Sequence, residues 1–383
     1  MIKKFWGKNF GVLREFSVDL KPLTILVGPN ASGKSTFLRA LRFLSMVTRM
    51  PLYMQSGLML LGYRVTIGDF LSASDPDRKI TLGVEVENDT GNGQYEIALG
   101  YLENRVKVVD ETVEWHAKNG ASFRYDSDSD PFYFDFRGTT FSSKLPRESS
   151  LAYLCGPYRA DPHWARKLVP LYELTSAFTP IHVFRFSPSE ISRPVEPGTQ
   201  VSHSGAGLAA ELDRLLGEER GKFDTLVSSL KNIFPHIKEV KVVTIKGRTA
   251  VLKGLIFERI DGVQVPGELE SDGVLLTLAH LWLATRKEPI FGVEEPEAAT
   301  YPSLLESRLS FLRSISEGSL GFQPVQVIAT THSSLLLTAA RDTSLVRIFE
   351  PQEDGSVHIA TSNEQFMQEL IYKRLAWATG TGK

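Results

Sequence analysis

Gly28-Pro29-Asn30-Ala31-Ser32-Gly33-Lys34-Ser35 is a complete G-x-x-x-x-G-K-S sequence, and its flanks decide how it is read. Before it, Leu23-Thr24-Ile25-Leu26-Val27 is an apolar, partly β-branched run of strand length. After it, Phe37, Leu38, Leu41, Phe43 and Leu44 recur at helical spacing. Strand, glycine loop and helix in that order form the context in which this motif is a phosphate-binding loop. Its glycines let backbone N–H groups turn inward around a β-phosphate, and the helix N-terminus adds its positive dipole end. In this reading Gly28, Pro29, Asn30, Ala31, Ser32, Gly33, Lys34, Ser35 and Thr36 cradle the nucleotide phosphates. Lys34 reaches the β- and γ-phosphates, and the Ser35 hydroxyl ligates Mg²⁺.

Size and composition narrow the remaining possibilities. With 383 residues, the chain accommodates either more than one average domain or a large α/β head with an inserted lobe. Its 42% apolar and 23% charged residues are ordinary for a globular protein that buries a full core. A net charge of −2 provides no overall basic field for nucleic acid, and the lysines near either end read first as solvated surface. The single cysteine, Cys155, excludes an intrachain disulfide framework and a multi-cysteine zinc site. Met1-Ile2-Lys3-Lys4 does not open a signal peptide, and no uncharged apolar stretch has membrane-spanning length. A cytoplasmic location is therefore expected.

Along the chain, residues 2–27 read as two strands of one hairpin with Asn9-Phe10-Gly11 at the turn, followed by a helix from about Ser35 to Met50. Residues 76–140 change character: Ile80, Leu82, Val84 and Val86 alternate with polar positions, and Tyr95, Ile97 and Leu99 resume the alternation after a turn. An antiparallel meander with one buried face follows. Leu208, Leu212, Leu215 and Leu216 form one helical stripe, and Phe223, Leu226, Val227, Leu230 and Ile233 form a second. Strands are expected again at 240–245 and 252–260, and residues 270–350 alternate helix and strand as a parallel sheet requires. The expected divisions are an ATPase lobe at 1–75, an antiparallel β subdomain at 76–150, a helical lobe with β-hairpins at 151–265, and the second part of the ATPase lobe at 266–383.

Three distal stretches carry chemistry. The apolar run 290–293 ends in Glu294-Glu295-Pro296-Glu297. A strand emerging beside the phosphate loop places Glu294 near the Mg²⁺ water shell and points Glu295 at the water attacking the γ-phosphate. A β-rich run ends in Thr330-Thr331-His332-Ser333-Ser334, where His332 can donate to a γ-phosphate oxygen. Ser271-Asp272-Gly273 opens an apolar helix, and Ser271 occupies an N-cap position. A more specific reading makes Ser271 and that helix N-terminus cap the γ-phosphate of a nucleotide held by another subunit. Asp126, Asp128 and Asp130 have the spacing that opens a calcium loop, but Pro131 and Arg137 stand where glycine and a bidentate glutamate are required.

In this order the motifs resemble the ABC-type head of SMC and RecF-like ATPases, here with an antiparallel β subdomain and a helical lobe inserted between phosphate loop and signature. More narrowly, the chain is similar to stand-alone AAA/ABC-type ATPases of bacteria and archaea, some of them encoded in phage-defence operons. Residues 2–50 and 266–340 carry the resemblance most sharply; Gly205–Leu216 and Phe234-Pro235 carry it in outline. It implies ATP and Mg²⁺ as ligands, ATP-driven homodimerisation, hydrolysis in the closed dimer and reopening. It also implies roles in DNA repair or antiviral defence, with double-stranded DNA or an effector protein encoded nearby as partner. Glu294 stands where the family commonly has aspartate, Thr300-Tyr301-Pro302 where relatives often have Leu-His-Pro, and Leu276 where a basic residue often follows the signature. The glutamine-loop equivalent is either Gln55 or, better, Asp69-Phe70-Leu71-Ser72. The SMC coiled coil is absent, and no nuclease-type acidic domain is expected after His332. Phe10 and Arg14 are candidates for the adenine site.

The leading expectation is an ATPase that uses closure of two heads to grip or release a partner. A slow, nucleotide-gated scaffold that presents an effector nuclease or toxin is the alternative. A transporter ATPase subunit is disfavoured by the missing Leu-Ser-Gly-Gly-Gln signature and the long insertion.

Overall fold

The computed structural model describes residues 1–49, 79–102, 105–118, 120, 122–126, 132–136, 139–143, 169–246, 250–298, 305–333 and 342–361. The candidate glutamine-loop segments, Asp128 and Asp130 of the acidic loop, Cys155, Thr300-Tyr301-Pro302 and Ser334 lie outside them. The chain divides into two compact units. One comprises Met1–Ile181, Glu288–Ile290 and Asp342–Lys373; the other comprises His182–Lys287, Phe291–Arg341 and Arg374–Lys383.

Strands β1 (Ile2–Phe10) and β2 (Leu13–Asp19) pair antiparallel, with Phe10 opposite Leu13. The expected hairpin therefore closes at Gly11-Val12 and ends at Asp19. The run Leu23–Val27 is a separate strand, β3, rather than the hairpin's second arm. All five of its residues are buried, the pattern of a strand covered on both faces. The helix after the glycine loop, α1, spans Lys34–Val47. It buries Phe37, Leu38, Leu41, Phe43 and Leu44, and Phe37 meets Phe5, Phe16 and Phe349 edge-on at centroid distances of 5.1, 5.5 and 5.7 Å. Each such fully buried side chain contributes roughly 1.5–3 kcal/mol, so this seam anchors the helix that carries the loop.

The meander comprises β4 (Lys79–Glu87), β5 (Gly91–Leu102), β6 (Arg105–Ala117), β7 (Ser122–Asp126), β8 (Phe132–Phe136) and β9 (Thr139–Ser143). It is continuous with the hairpin: β1 pairs with both β2 and β4, giving one eight-stranded sheet in the order β2-β1-β4-β5-β6-β7-β8-β9. Ile80, Leu82, Val84 and Val86 face the core with Tyr95, Ile97, Leu99, Val113 and Trp115, the single buried face that the alternation implies.

Helices α2 (Val169–Ser176), α3 (Pro188–Ile191), α4 (Leu208–Glu218) and α5 (Arg220–Ile233) follow, with strand β10 (Ile181–Phe184) between the first two. Next come β11 (Ile237–Lys246), β12 (Val251–Arg259) and β13 (Gln264–Pro266), a three-stranded antiparallel sheet. Both expected leucine-rich helices form, although Leu216 and Val227 are only half-buried and Ile233 is exposed. The remaining elements are α6 (Asp272–Ala284), β14 (Ile290–Glu294), α7 (Leu305–Glu317), β15 (Gln326–Thr331), β16 (Val346–Pro351) and β17 (Val357–Thr361). In the first unit β16 runs parallel to β3, pairing Ile348 with Val27, and antiparallel to β17. In the second, β10, β14 and β15 are successive neighbours.

Helix α6 is buried from Val274 through Ala284, as a largely apolar helix must be. Its one imidazole, His280, lies beside the buried Arg308. Burial, with that guanidinium alongside, pushes His280 down to about 3. The ring is therefore neutral near pH 7 and serves as packing, edge-on to Phe186 at 5.2 Å.

Candidate functional site

The phosphate loop belongs to the first unit. Gly33 is the N-cap of α1 with φ +89°, a left-handed conformation that favours glycine, and Ala31 precedes it at φ +61°. These two reversals coil the chain so that α1 starts with neither a side-chain cap nor an acidic residue in its first turn. The first turn of α1 thus offers no carboxylate to its own N-terminal amides, the arrangement that suits a helix N-terminus to an anion. Lys34 folds over the loop: Nζ donates to the carbonyls of Gly28 at 2.8 Å and Pro29 at 2.7 Å, and to Ser32 Oγ at 3.3 Å. Its charge sits directly above the cradle. Ser32 and Gly33 are buried, Pro29 and Asn30 are exposed, and Ser35 and Thr36 present half-buried hydroxyls on the first turn of α1. Of the two adenine candidates, Phe10 is fully buried near Phe43 and cannot reach a base. Arg14 is at the surface, where it donates to Asp354 Oδ2 at 2.8 Å.

The carboxylates and the histidine belong to the second unit. Glu294 ends β14 half-buried, and Glu295 follows with φ +48°, uncommon for a residue with a side chain. Its backbone N–H donates to Thr330 O at 2.9 Å, which ties the turn to the end of β15. Both carboxylate oxygens of Glu295 are engaged: Arg185 Nη2 donates to Oε2 at 2.8 Å, and His332 Nδ1 lies 3.5 Å from Oε1. Glu295 and His332 therefore come together at the carboxyl ends of neighbouring strands, where open α/β sheets bind their ligands. Glu297 supports them. Its Oε1 accepts a short hydrogen bond from the Thr331 hydroxyl, which itself accepts the Ser333 N–H at 2.9 Å. Burial pushes the Glu297 carboxyl above the usual carboxylate range, and its bond from Thr331 links the turn after β14 to the end of β15.

Arg185 and the Glu297–Thr331 link escape a reading of the sequence alone. Glu297 stands in the motif but has no assigned role there, and Arg185 lies in none. The one available signal is Arg185's position directly after the short apolar run of β10.

The signature begins α6. Ser271 is the N-cap residue with extended backbone, but its hydroxyl makes no capping bond; it is exposed, as is Asp272, with Gly273 half-buried. The N-terminus is held from behind instead. Glu270 Oε1 accepts the Ser271 N–H at 2.8 Å and Arg259 Nη2 at 2.8 Å, while the Thr277 hydroxyl donates to Gly273 O at 2.7 Å and accepts from Arg308 at 3.1 Å. The Glu270 carboxylate is fully buried. Removing it strands Arg259 and one helix amide, so Glu270→Ala is expected to destabilise the protein by about 2–3 kcal/mol. Urea unfolding should show this as a lower midpoint with unchanged slope.

A family model described as "AAA domain, putative AbiEii toxin, Type IV TA system" matches residues 23–338. The chain belongs to this AAA family. The matched span runs from β3 through phosphate loop, signature, Glu294-Glu295 and His332. Among curated proteins, an OLD nuclease from Thermus scotoductus is 49% identical over 41 residues, a match covering 11% of this chain and 8% of that protein. The chain thus aligns with only a small part of that relative. Among solved structures, an SMC head bound to the C-winged helix domain of ScpA is 10% identical with a TM-score of 0.50, covering 95% of this chain and 99% of that one. The SMC head domain from Thermotoga maritima is 14% identical with a TM-score of 0.42, covering 94% and 99%. The fold is accordingly that of an SMC/RecF-like, ABC-type P-loop ATPase head. No helix among the described residues is long and apolar enough to cross a membrane.

Proposed function

We propose that the protein is a Mg²⁺-dependent ATPase whose ATP-driven, head-to-tail homodimerisation controls DNA or a partner protein in repair or phage defence. The observation that carries this is the meeting of Glu295 and His332 at adjoining strand ends, in a chain whose phosphate loop has its lysine poised over an uncapped helix N-terminus. The residue types fit a nucleotide triphosphate: backbone amides and Lys34 for the phosphates, hydroxyls of Ser35 and Thr36 beside them, and Glu294 at a strand end.

In this reading Gly28–Thr36 bind and orient ATP, and Ser35 and Glu294 are the residues that would hold Mg²⁺. When bound, the ion supplies charge neutralisation and Lewis-acid polarisation of the phosphate oxygens. Glu295 orients the attacking water and takes its proton, and His332 donates to a γ-phosphate oxygen. Ser271, Asp272 and Gly273 act on the nucleotide of a second copy. Desolvated donors around a spreading negative charge supply most of the acceleration, and comparable trans stabilisation is worth ~10³–10⁵ in rate.

Ser271 allows a clean test. Its hydroxyl makes no capping bond among the described residues, so Ser271→Ala should carry little stability cost. The variant should bind ATP as the wild type does, yet lose turnover and the ATP-dependent doubling of mass in light scattering. Wild-type turnover in Ser271→Ala would refute the trans role. Turnover far below roughly 1–10³ s⁻¹ and unchanged by double-stranded DNA would favour the nucleotide-gated scaffold instead.

A further inference from the structure

We infer that Arg185 is a positioning residue for the hydrolytic base: its guanidinium holds the Glu295 carboxylate in the orientation used for attack on the γ-phosphate. The inference rests on the reading of Glu295 as that base and adds a residue which no motif marks.

The placement of Arg185 is preset by its neighbours. Phe184 and Phe186 on either side of it are both buried, with ring centroids 5.2 Å apart. Phe184 packs edge-on to Trp282 at 5.6 Å, and Phe186 edge-on to His280 at 5.2 Å. Two buried aromatic anchors at i−1 and i+1 in this segment just beyond β10 leave the intervening side chain pointing away from them. The backbone is pinned as well: Arg185 N–H donates to His203 O and Ser187 N–H to Ser204 O, each at 2.9 Å. From this rigid base Nη2 reaches Glu295 Oε2 at 2.8 Å.

Stability does not explain the pair. The Arg185 side chain is 60% exposed and that of Glu295 is 30% exposed, and surface ion pairs contribute little to folding. Glu295 also holds a left-handed backbone that a side chain disfavours. A contact of small stabilising value on a strained residue, with His332 at the other carboxylate oxygen, serves orientation. Because Arg185 occupies Oε2, Oε1 is left as the oxygen nearer His332, the group that meets the γ-phosphate in the proposed reaction.

The test uses the full chain in single-turnover ATP hydrolysis. Arg185→Ala should lower the rate roughly 10²-fold, the scale of a misplaced reacting group, while leaving the KM for ATP within about twofold. Arg185→Lys, which keeps one donor, should recover part of the loss. In a Glu295→Gln background Arg185→Ala should cause no further fall, because Arg185 acts through that carboxylate. An unchanged or faster rate in Arg185→Ala overturns the inference, as does a raised KM, which would place the guanidinium on the nucleotide. If Glu295→Gln alone hydrolyses normally, it is the assignment of the base that fails, whatever Arg185→Ala does.

Discussion

Glu295→Gln should bind ATP normally, hydrolyse it about 10²–10⁴-fold more slowly, and accumulate as an ATP-bound dimer. The substitution is nearly isosteric, and the amide oxygen can still accept from Arg185 at the position Oε2 now occupies, 2.8 Å from Nη2. The left-handed turn and its N–H bond to Thr330 O are backbone features that the change leaves intact. What disappears is the negative charge and the capacity to take a proton from water. ATP affinity should hold because the phosphate loop contributes its own ammonium and amides. In the proposed cycle closure depends on the intact triphosphate, so the dimer should persist when the step that destroys it is removed. Single-turnover kinetics alongside mass measurement in ATP check both halves. Hydrolysis at the wild-type rate would remove Glu295 from the base position.

How much of this was legible in the sequence depends on whether the information is local. The β3–loop–α1 unit was readable because strand, glycines and helix are contiguous, and the helix differs from expectation only at its ends: Lys34–Val47 against 35–50. The meeting of Glu295 with His332 was readable because each terminates an apolar strand, and strand ends share an edge of the sheet. The antiparallel alternation at 80–99 gave the buried face, but alternation does not name a partner strand. That β4 pairs with β1, merging meander and hairpin, follows from register alone. Phe10 looked like a turn residue because Asn9 and Gly11 flank it; both take positive φ, yet Phe10 points into the core. Arg185 was invisible because an exposed arginine after a short strand reads as surface. Its meaning comes from a carboxylate 110 residues away in the chain. Ser271 was placed correctly as an N-cap, but the sequence could not show that Glu270, not the hydroxyl, secures the helix start.

Gly28→Ala should weaken ATP binding at least about 10²-fold. A Cβ at this position would lie 2.5 Å from Phe349 O and 2.6 Å from Ser32 Oγ, closer than real Cβ contacts occur. Neither neighbour yields easily: Phe349 lies within β16, whose pairing with β17 sets it opposite Ile359, and Ser32 is buried in the loop. The backbone of residue 28 must therefore move, and its carbonyl is one that Lys34 Nζ grips at 2.8 Å. Displacement disturbs the ammonium and the amides that converge on phosphate together. Each charge-assisted hydrogen bond is worth about 1.5–3 kcal/mol, and 1.4 kcal/mol is tenfold in affinity, so losing one or two suffices. Gly217→Ala provides the control. It lies in α4 with nothing within 4 Å of the added carbon, so it should raise stability by about 0.5–1 kcal/mol and leave ATP affinity unchanged. Titration calorimetry with ATP, paired with thermal unfolding of both variants, separates a loop that has lost its shape from a protein that has lost its fold. Near-wild-type affinity in Gly28→Ala would mean that the phosphates are held elsewhere.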